Sequence, residues 1–243
     1  MKLLQEEINF YLNDFNRKIQ NSPLNRDDQI KVLKLILDMS SIHNEIHHVI
    51  KRINSEIKVI HPLFLEFNRK FQKNSSASME IVDEFLLINM DIKTLYLFFL
   101  ILIDKLPKFL NLLFVKGNRP RDGSFEDYKK SIRKYEGEEE FKKLESIIQS
   151  YWRYHKEIKD FRDDCIVHHS VNKNPIAYGE DNLWFVFGYE SNSEILWKSI
   201  DIDEIQSHIT LMLKLFRDIA TWLDDNFENI YFETKPKTNS TTN

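Results

Sequence analysis

A chain of 243 residues, 42% of them hydrophobic and 13% aromatic, can bury a sizeable core and is not a disordered chain. Its net charge of -4 provides no overall basic field of the kind that attracts nucleic acid, and its single cysteine excludes an intrachain disulfide framework and fits a reducing compartment. Because only 5 glycines and 6 prolines interrupt the chain, we expect a mostly α-helical fold, a multi-helix bundle.

The first 78 residues predict an N-terminal helical extension. An amphipathic helix over residues 1–20 stops near Pro23, and a second helix runs from about Arg26 to His61, where Pro62 should end or kink it. Three histidines of this second helix place two imidazoles one turn apart, as in half of a metal site, but no third ligand or catalytic base accompanies them. We interpret them as surface histidines and predict no metal; they are His43, His47 and His48.

A third helix is expected from Met79 to about Val115, after the loop KNSSAS. Its segment from Phe85 to Ile103 is almost entirely apolar, so we expect other elements on several sides of it. The most apolar window, LYLFFLILI, has nine residues and charged neighbours, whereas a membrane span needs about 20 apolar residues. The amino terminus also lacks the uninterrupted apolar run of a signal peptide, so we predict a cytoplasmic protein without a membrane segment.

The remainder predicts two more long helices and one β-hairpin. Ser124 and Asp127 resemble the start of a short helix, and the next helix runs from about Glu138 to His168. The stretches LWFVFGY (183–189) and EILWKSI (194–200) are the only strand candidates and predict a hairpin. Asp201 or Asp203 can cap the final helix, and residues 233–243 are expected to be disordered.

The stretch FRDDCIVHHS, residues 161–170, carries the richest chemistry. An apolar seam with steps of three and four residues leads to it and includes Phe161 and Cys165, so we interpret Cys165 as a packing residue. A neighbouring stripe holds His155, Lys159, Arg162 and His169. On a straight helix Arg162 and His169 project within about 20° of each other, whereas Arg162 and His168 project about 120° apart unless the helix tightens, bends or ends.

An arginine beside a histidine suits the cleavage of RNA. The imidazole can take the proton of a ribose 2′-hydroxyl or protonate the leaving oxygen near neutral pH. The guanidinium stays charged and can hold the scissile phosphate. No metal is needed, because the nucleophile is the hydroxyl of the substrate. The competing interpretation is a capped helix end, with Arg162 paired to an acid and a histidine near the last carbonyl groups.

The run RDDCIVHH resembles the motif of the HEPN superfamily (higher eukaryotes and prokaryotes nucleotide-binding), in which an arginine, a polar residue and, after four intervening residues, a histidine end a helix. The order of elements is also similar: a long apolar helix, an insertion, the motif helix and a final helix. The resemblance covers about residues 79–232, with the hairpin at 183–200. Stand-alone HEPN domains recur in bacterial toxin-antitoxin and abortive-infection systems.

The resemblance implies a metal-independent ribonuclease without a cofactor, acting on RNA as a homodimer with a composite site. Arg162 would bind the phosphate, Asp163 would position its neighbours, and His168 or else His169 would be the acid/base. From its place on the stripe, His155 is a candidate substrate contact or else a partly buried histidine or a dimer contact, and Lys159 is a candidate RNA contact. An antitoxin protein would be a further partner. Many relatives are inactive, and the second acid, Asp164, adds negative charge where phosphate should approach. The alternatives are therefore a non-catalytic HEPN-like module that binds a nucleotide, RNA or a protein, and a helical scaffold without a site.

Overall fold

The computed structural model describes residues 3–22, 24–73, 82–113, 123–132, 135–136, 139–167, 170–171, 176–178, 183–191, 194–226 and 235–236. These residues form seven α-helices, one π-helical segment and six short strands, so the predicted mostly α-helical fold with a small β-hairpin is confirmed. None of the described helices combines the length and the apolar character that a membrane crossing requires.

The first two helices, α1 (Leu3–Gln20) and α2 (Arg26–Lys73), begin where the sequence predicts. The side chain of Asn25 caps α2 by accepting a hydrogen bond from the Asp28 amide at 3.0 Å. The prediction that α2 reaches only His61 is wrong, because the helix continues through Pro62 to Lys73. Pro62 removes the amide that would bond the carbonyl of Lys58, but both residues are exposed, so water can bind that carbonyl.

His43 is not the surface histidine that the sequence predicts, since it is fully buried in α2. It falls on a seam of buried side chains with steps of three and four residues, which consists of Ile36, Met39, His43, Ile46, Ile50 and Ile53. His47 is partly exposed and His48 is exposed. Within the described ranges, no three histidine, cysteine or acidic side chains lie close enough together to hold a metal ion.

Helix α3 (Val82–Asn111) carries much of the core, and Pro107 lies within its last turn and a half. Ile88, Ile92, Leu95, Tyr96 and Phe99 are all fully buried. The expectation that other elements surround this helix is correct for that face only. Leu87 and Met90 remain 53% and 62% exposed, so the apolar composition of α3 exceeds what the fold buries.

Helix α4 (Phe125–Ile132) starts as predicted, because the Asp127 amide donates to the Ser124 hydroxyl at 3.1 Å. The single helix expected over residues 138–168 is instead divided into α5 (Glu139–Ser150), α6 (Trp152–Arg162) and a π-helical segment (Asp163–Val167). The Ser150 hydroxyl donates to the Ile147 carbonyl at 2.7 Å. This bond competes for the acceptor that the Tyr151 amide would use in a continuous helix, which explains the break at Tyr151.

Strand β4 (Leu183–Ser191) lies in the middle of a four-stranded antiparallel sheet. The predicted hairpin is confirmed, since β5 (Glu194–Asp201) pairs with β4 from Ser191↔Glu194 to Trp184↔Asp201. The opposite edge of β4 pairs with β2 (Ser170–Val171) and β3 (Ile176–Tyr178), two strands that the sequence does not predict. A separate pair joins β1 (Tyr135–Glu136) to β6 (Lys235–Pro236), which places a strand within the predicted tail; residues 237–243 lie outside the described residues.

The final helix, α7 (Ile202–Asn226), is capped by Asp201, whose carboxylate accepts a hydrogen bond from the Glu204 amide at 2.7 Å.

The chain divides into two compact units. One contains Met1–Asn44, Phe99–Glu157 and Thr210–Asn243, and the other contains Glu45–Phe98 and Ile158–Ile209. Phe15 stacks on Phe109 at 5.2 Å in the first unit, and Tyr96 hydrogen-bonds His208 at 2.6 Å in the second. The boundary predicted at residue 78 lies outside the described residues.

Candidate functional site

The charged residues of the FRDDCIVHHS stretch, Arg162, Asp163 and Asp164, lie where α6 becomes π-helical. The predicted apolar seam holds this end of the helix, because Ile158, Phe161 and Cys165 are almost completely buried. The Phe161 ring lies 4.2 Å from the Tyr96 ring and meets the Phe187 ring edge-on at 5.0 Å. Packing therefore fixes the backbone that carries Arg162. The π-helical turn that follows is of a kind that occurs frequently at functional sites.

Arg162 is partly exposed, with 29% of its side chain accessible. Its Nε donates to Oδ1 of Asp163 at 2.7 Å, and its Nη2 lies 2.5 Å from the same oxygen. This contact uses one edge of the guanidinium and two of its five N–H groups. Asp163 thus orients the arginine while leaving the other edge of the fork outside the contact.

The electrostatic surroundings of this turn include two lysines. Lys93 lies 5.9 Å from the Phe187 ring centre, and Lys198 lies 5.5 Å from the Phe161 ring centre. Burial lowers the pKa of Lys93. In the part of the chain that the structure describes, neither ammonium group has a carboxylate partner. These two residues could not be predicted from local spacing, because they come from α3 and β5 and approach the motif only through tertiary packing.

Cys165 has the packing role that its place on the seam predicts. Its side chain is fully buried, and burial, opposed by the positive charges of Lys198 and Lys93, raises the pKa of its thiol to about 11. A buried thiol with so little thiolate at neutral pH is not a nucleophile.

His155 does not have the substrate-contact position that its place on the stripe suggests, since it is only 1% exposed. The ring stacks against Phe125 at 5.1 Å and Trp152 at 6.0 Å. Its Nε2 lies 3.3 Å from Oδ1 of Asp104, and because a carboxylate only accepts, Nε2 carries the proton. His155 is therefore a core residue, in agreement with the alternative of a buried histidine, and the candidate RNA contact at this position is wrong.

The structure describes only some of the other predicted site residues. Lys159 is partly exposed on α6, three positions before Arg162, so the two side chains are neighbours on one helix face. Asp164 is also partly exposed. His168 and His169, the predicted acid/base residues, lie outside the described residues.

A separate open cleft of about 460 Å³ lies between the start of α6 and α7. The Tyr151 hydroxyl donates to Asp218 at 2.6 Å on its wall, and Lys214 borders it. Burial and the Asp218 carboxylate raise the pKa of Tyr151 far above its ordinary value. The described residues that the sequence predicts for RNA cleavage do not line this cleft.

Comparison with known proteins adds one similarity. A family model described as Armadillo-like matches residues 3–75, the region that contains α1 and α2. The match covers less than a third of the chain and ends before the stretch that carries Arg162. Neither a curated protein nor a solved structure matches the chain.

Proposed function

We propose that the chain is a metal-independent endoribonuclease of the HEPN type, acting in a phage-defence or toxin-antitoxin system. The observation that carries the proposal is the Arg162–Asp163 pair at the end of α6. A partly exposed guanidinium held at one edge by the next carboxylate is what the motif requires of its arginine and its polar residue. The packed seam beneath it supplies a rigid base, which a phosphate-binding group needs to act with defined geometry.

In the proposed reaction Arg162 binds the scissile phosphate through the N–H groups that Asp163 does not engage. His168 or His169 removes the 2′-hydroxyl proton of the substrate ribose, and the resulting oxygen attacks the adjacent phosphorus. The bond from phosphorus to the 5′-oxygen of the next nucleotide breaks, and that oxygen takes a proton from the protonated histidine or from water. The products are a 2′,3′-cyclic phosphate and a 5′-hydroxyl. The substrate supplies the nucleophile, so the step uses neither a metal nor a cofactor.

The lysines around Phe161 and Cys165 support an anionic substrate at this end of the helix. Lys93 and Lys198 are half-buried cations on the rings of Phe187 and Phe161, and Lys159 shares the helix face of Arg162. Cations in partly desolvated positions attract phosphate more strongly than fully hydrated ones. The proposed enzyme works as a homodimer in the cytoplasm, where its RNA substrate is found, with an antitoxin protein as a further partner.

The decisive test is RNA cleavage by purified protein in the presence of EDTA. We expect Arg162→Ala to reduce the cleavage rate by at least about a hundredfold, because it removes the group that stabilises charge on the phosphate. Arg153→Ala is the matched control, since Arg153 is an arginine of the same helix that is 90% exposed and pairs with Glu157. The control should cleave like the unmodified protein. Cleavage that survives replacement of Arg162, His168 and His169 together would refute the proposal.

A second candidate function, a non-catalytic HEPN-like module that binds RNA or a nucleotide, is favoured by the same ion pair. Asp163 partly neutralises Arg162, and Asp164 adds another negative charge beside it. For this function, the unmodified protein would bind RNA without cutting it, and Arg162→Ala would weaken binding. Asp163→Asn, which removes the competing charge, would strengthen it. Toxicity on expression that Arg162→Ala relieves would favour the enzyme.

A further inference from the structure

Strand β5 forms an edge of the four-stranded sheet. One side of the strand pairs with β4 through eight consecutive residues, and on the other side no described strand pairs with it. Three consecutive apolar residues in the strand are exposed: Ile195 by 43%, Leu196 by 40% and Trp197 by 49%. The outward edge therefore combines open backbone groups with apolar side chains on both faces of the strand.

Proteins usually protect such an edge with a central charge, a proline or a β-bulge. The register between β4 and β5 is uninterrupted, so β5 has no bulge, and β5 contains no proline. The central charge, Lys198, follows the apolar Ile195–Trp197 run and holds its ammonium group over the Phe161 ring. Trp197 also lies tightly against Gly188, its partner in β4, where a Cβ atom would come within 2.7 Å of the indole ring. Gly188 thus lets the indole lie flat on the sheet, which leaves the edge regular.

We propose that β5 pairs antiparallel with β5 of a second copy of the chain, with the two Leu196 residues opposite each other at the symmetry axis. In this register Glu194 of each copy faces Lys198 of the other, and Ile195 of each faces Trp197 of the other. The eight strands of the two copies form one continuous sheet. Each cross-strand pair lies on a common face, as the alternation of side chains requires.

The composition of β5 favours a second copy over an unrelated extended peptide. Of the three charged residues in β5, Glu194 and Lys198 are placed symmetrically about Leu196, so the antiparallel arrangement satisfies both of these charges twice, and Asp201 lies beyond the paired residues 194–198. A parallel arrangement in register would set Glu194 against Glu194 and Lys198 against Lys198. An antiparallel shift of two residues would place each charge opposite an apolar residue. Glu194 is exposed and has no described ion-pair partner within its own chain.

The position of Lys198 is compatible with this pairing. Its ammonium group lies over the Phe161 ring, on the face of β5 that ends in the buried Ile200. Side chains at 194, 196, 198 and 200 share that face, so the incoming Glu194 would approach Lys198 from the strand edge without displacing the ring contact. The pairing does not depend on RNA cleavage, and it holds equally for a non-catalytic module.

The test is the molar mass of the full chain in solution, measured by light scattering on a size-exclusion column across a concentration series. We expect a dimer of twice the 29.3 kDa chain. Glu194→Lys or Lys198→Glu alone places like charges opposite each other at two symmetric positions, which should weaken the dimer about tenfold or more. The double variant Glu194→Lys with Lys198→Glu restores both opposite-charge pairs and should restore the dimer.

Leu196→Lys should give a monomer, because two lysines would then meet at the symmetry axis. Leu87→Lys is the matched control, since Leu87 is a similarly exposed leucine of α3 and its replacement should leave the mass unchanged. Circular dichroism of each variant verifies that the fold is retained, and a misfolded variant is replaced by Leu196→Ser. A monomer at all concentrations overturns the proposal. A dimer that persists in folded Leu196→Lys, or that the double charge swap fails to restore, also overturns it.

Discussion

Asp104 joins two elements of the core through one oxygen atom, so its removal should destabilise the protein far more than an ordinary surface substitution. Oδ1 accepts the Phe125 amide at 2.8 Å, at the first residue of α4, and the Nε2–H of His155 at 3.3 Å. Phe125 and His155 are both buried, so Asp104→Ala leaves two donors without an acceptor. Each loss costs about 1–3 kcal/mol.

For each of the two hydrogen bonds we expect a cost in the lower part of that range. The Asp104 side chain is 29% exposed, so water can partly replace the lost oxygen. We therefore expect Asp104→Ala to reduce the free energy of unfolding by about 2–4 kcal/mol. Urea denaturation gives this quantity, and the fluorescence of Trp152, which stacks on His155, provides a local signal.

Two further variants make the comparison specific. Asp38→Ala removes a carboxylate that is 61% exposed and pairs with Lys105 at 2.9 Å, so it should cost less than about 1 kcal/mol. Asp104→Asn keeps an oxygen acceptor and should be closer to the unmodified protein than Asp104→Ala. Equal effects of Asp104→Ala and Asp38→Ala would refute the reasoning, because the buried donors would then have no special need of Asp104.

Two other predictions concern ionisable groups in the second unit. Burial and the nearby Asp91 carboxylate raise the pKa of Glu56 above 4.5, so its charged form is penalised in the folded state. Glu56→Gln should increase the free energy of unfolding at pH 7. This gain should vanish as the pH falls through the raised pKa and below 4.5, because Glu56 is then neutral in both the folded and the unfolded state. An equal gain at pH 4 in urea titrations would contradict this reasoning. At pH 8, Cys165 should react with iodoacetamide roughly a hundredfold more slowly in the native protein than in urea, because burial raises the pKa of its thiol from 9.0 to about 11. Mass spectrometry measures the two rates, and similar rates would show that the thiol is accessible.

The elements that local chemistry determines could be predicted from the sequence. The Ser124–Asp127 pair marks the start of α4, and Asp201, one of two candidates, caps α7. The aromatic and branched residues on either side of SNS predict the β4–β5 hairpin. In each case the interacting groups are at most a few residues apart, so their spacing carries the information.

The structure differs from the sequence-based predictions where contacts between distant residues, or exposure to solvent, determine the local structure. Exposure of Pro62 and Lys58 lets α2 continue where proline alone predicts an interruption. Strands β2 and β3 are two and three residues long, too short to leave a period in the sequence, and they exist because β4 provides an edge. The π-helical segment follows a run of buried seam residues that is equally consistent with a regular helix.

The candidate site shows the same division. The spacing of the seam correctly placed Phe161 and Cys165 in the core and Arg162 beside it. The same spacing grouped His155 with Arg162, and the structure separates them because Asp104, 51 residues earlier in the chain, draws the imidazole into an aromatic stack. Periodicity identifies the helix face from which a side chain projects, but the residues that pack against the side chain determine whether it is exposed to solvent.

A π-helical turn holds one residue more than the α-helical turn it replaces, which makes Asp163–Val167 a natural point for changes in chain length. Deleting a single residue there would restore a regular helix without disturbing the seam up to Phe161. The spacing between the guanidinium and the two histidines is thus adjustable by insertion or deletion of one codon, independently of the fold that supports it.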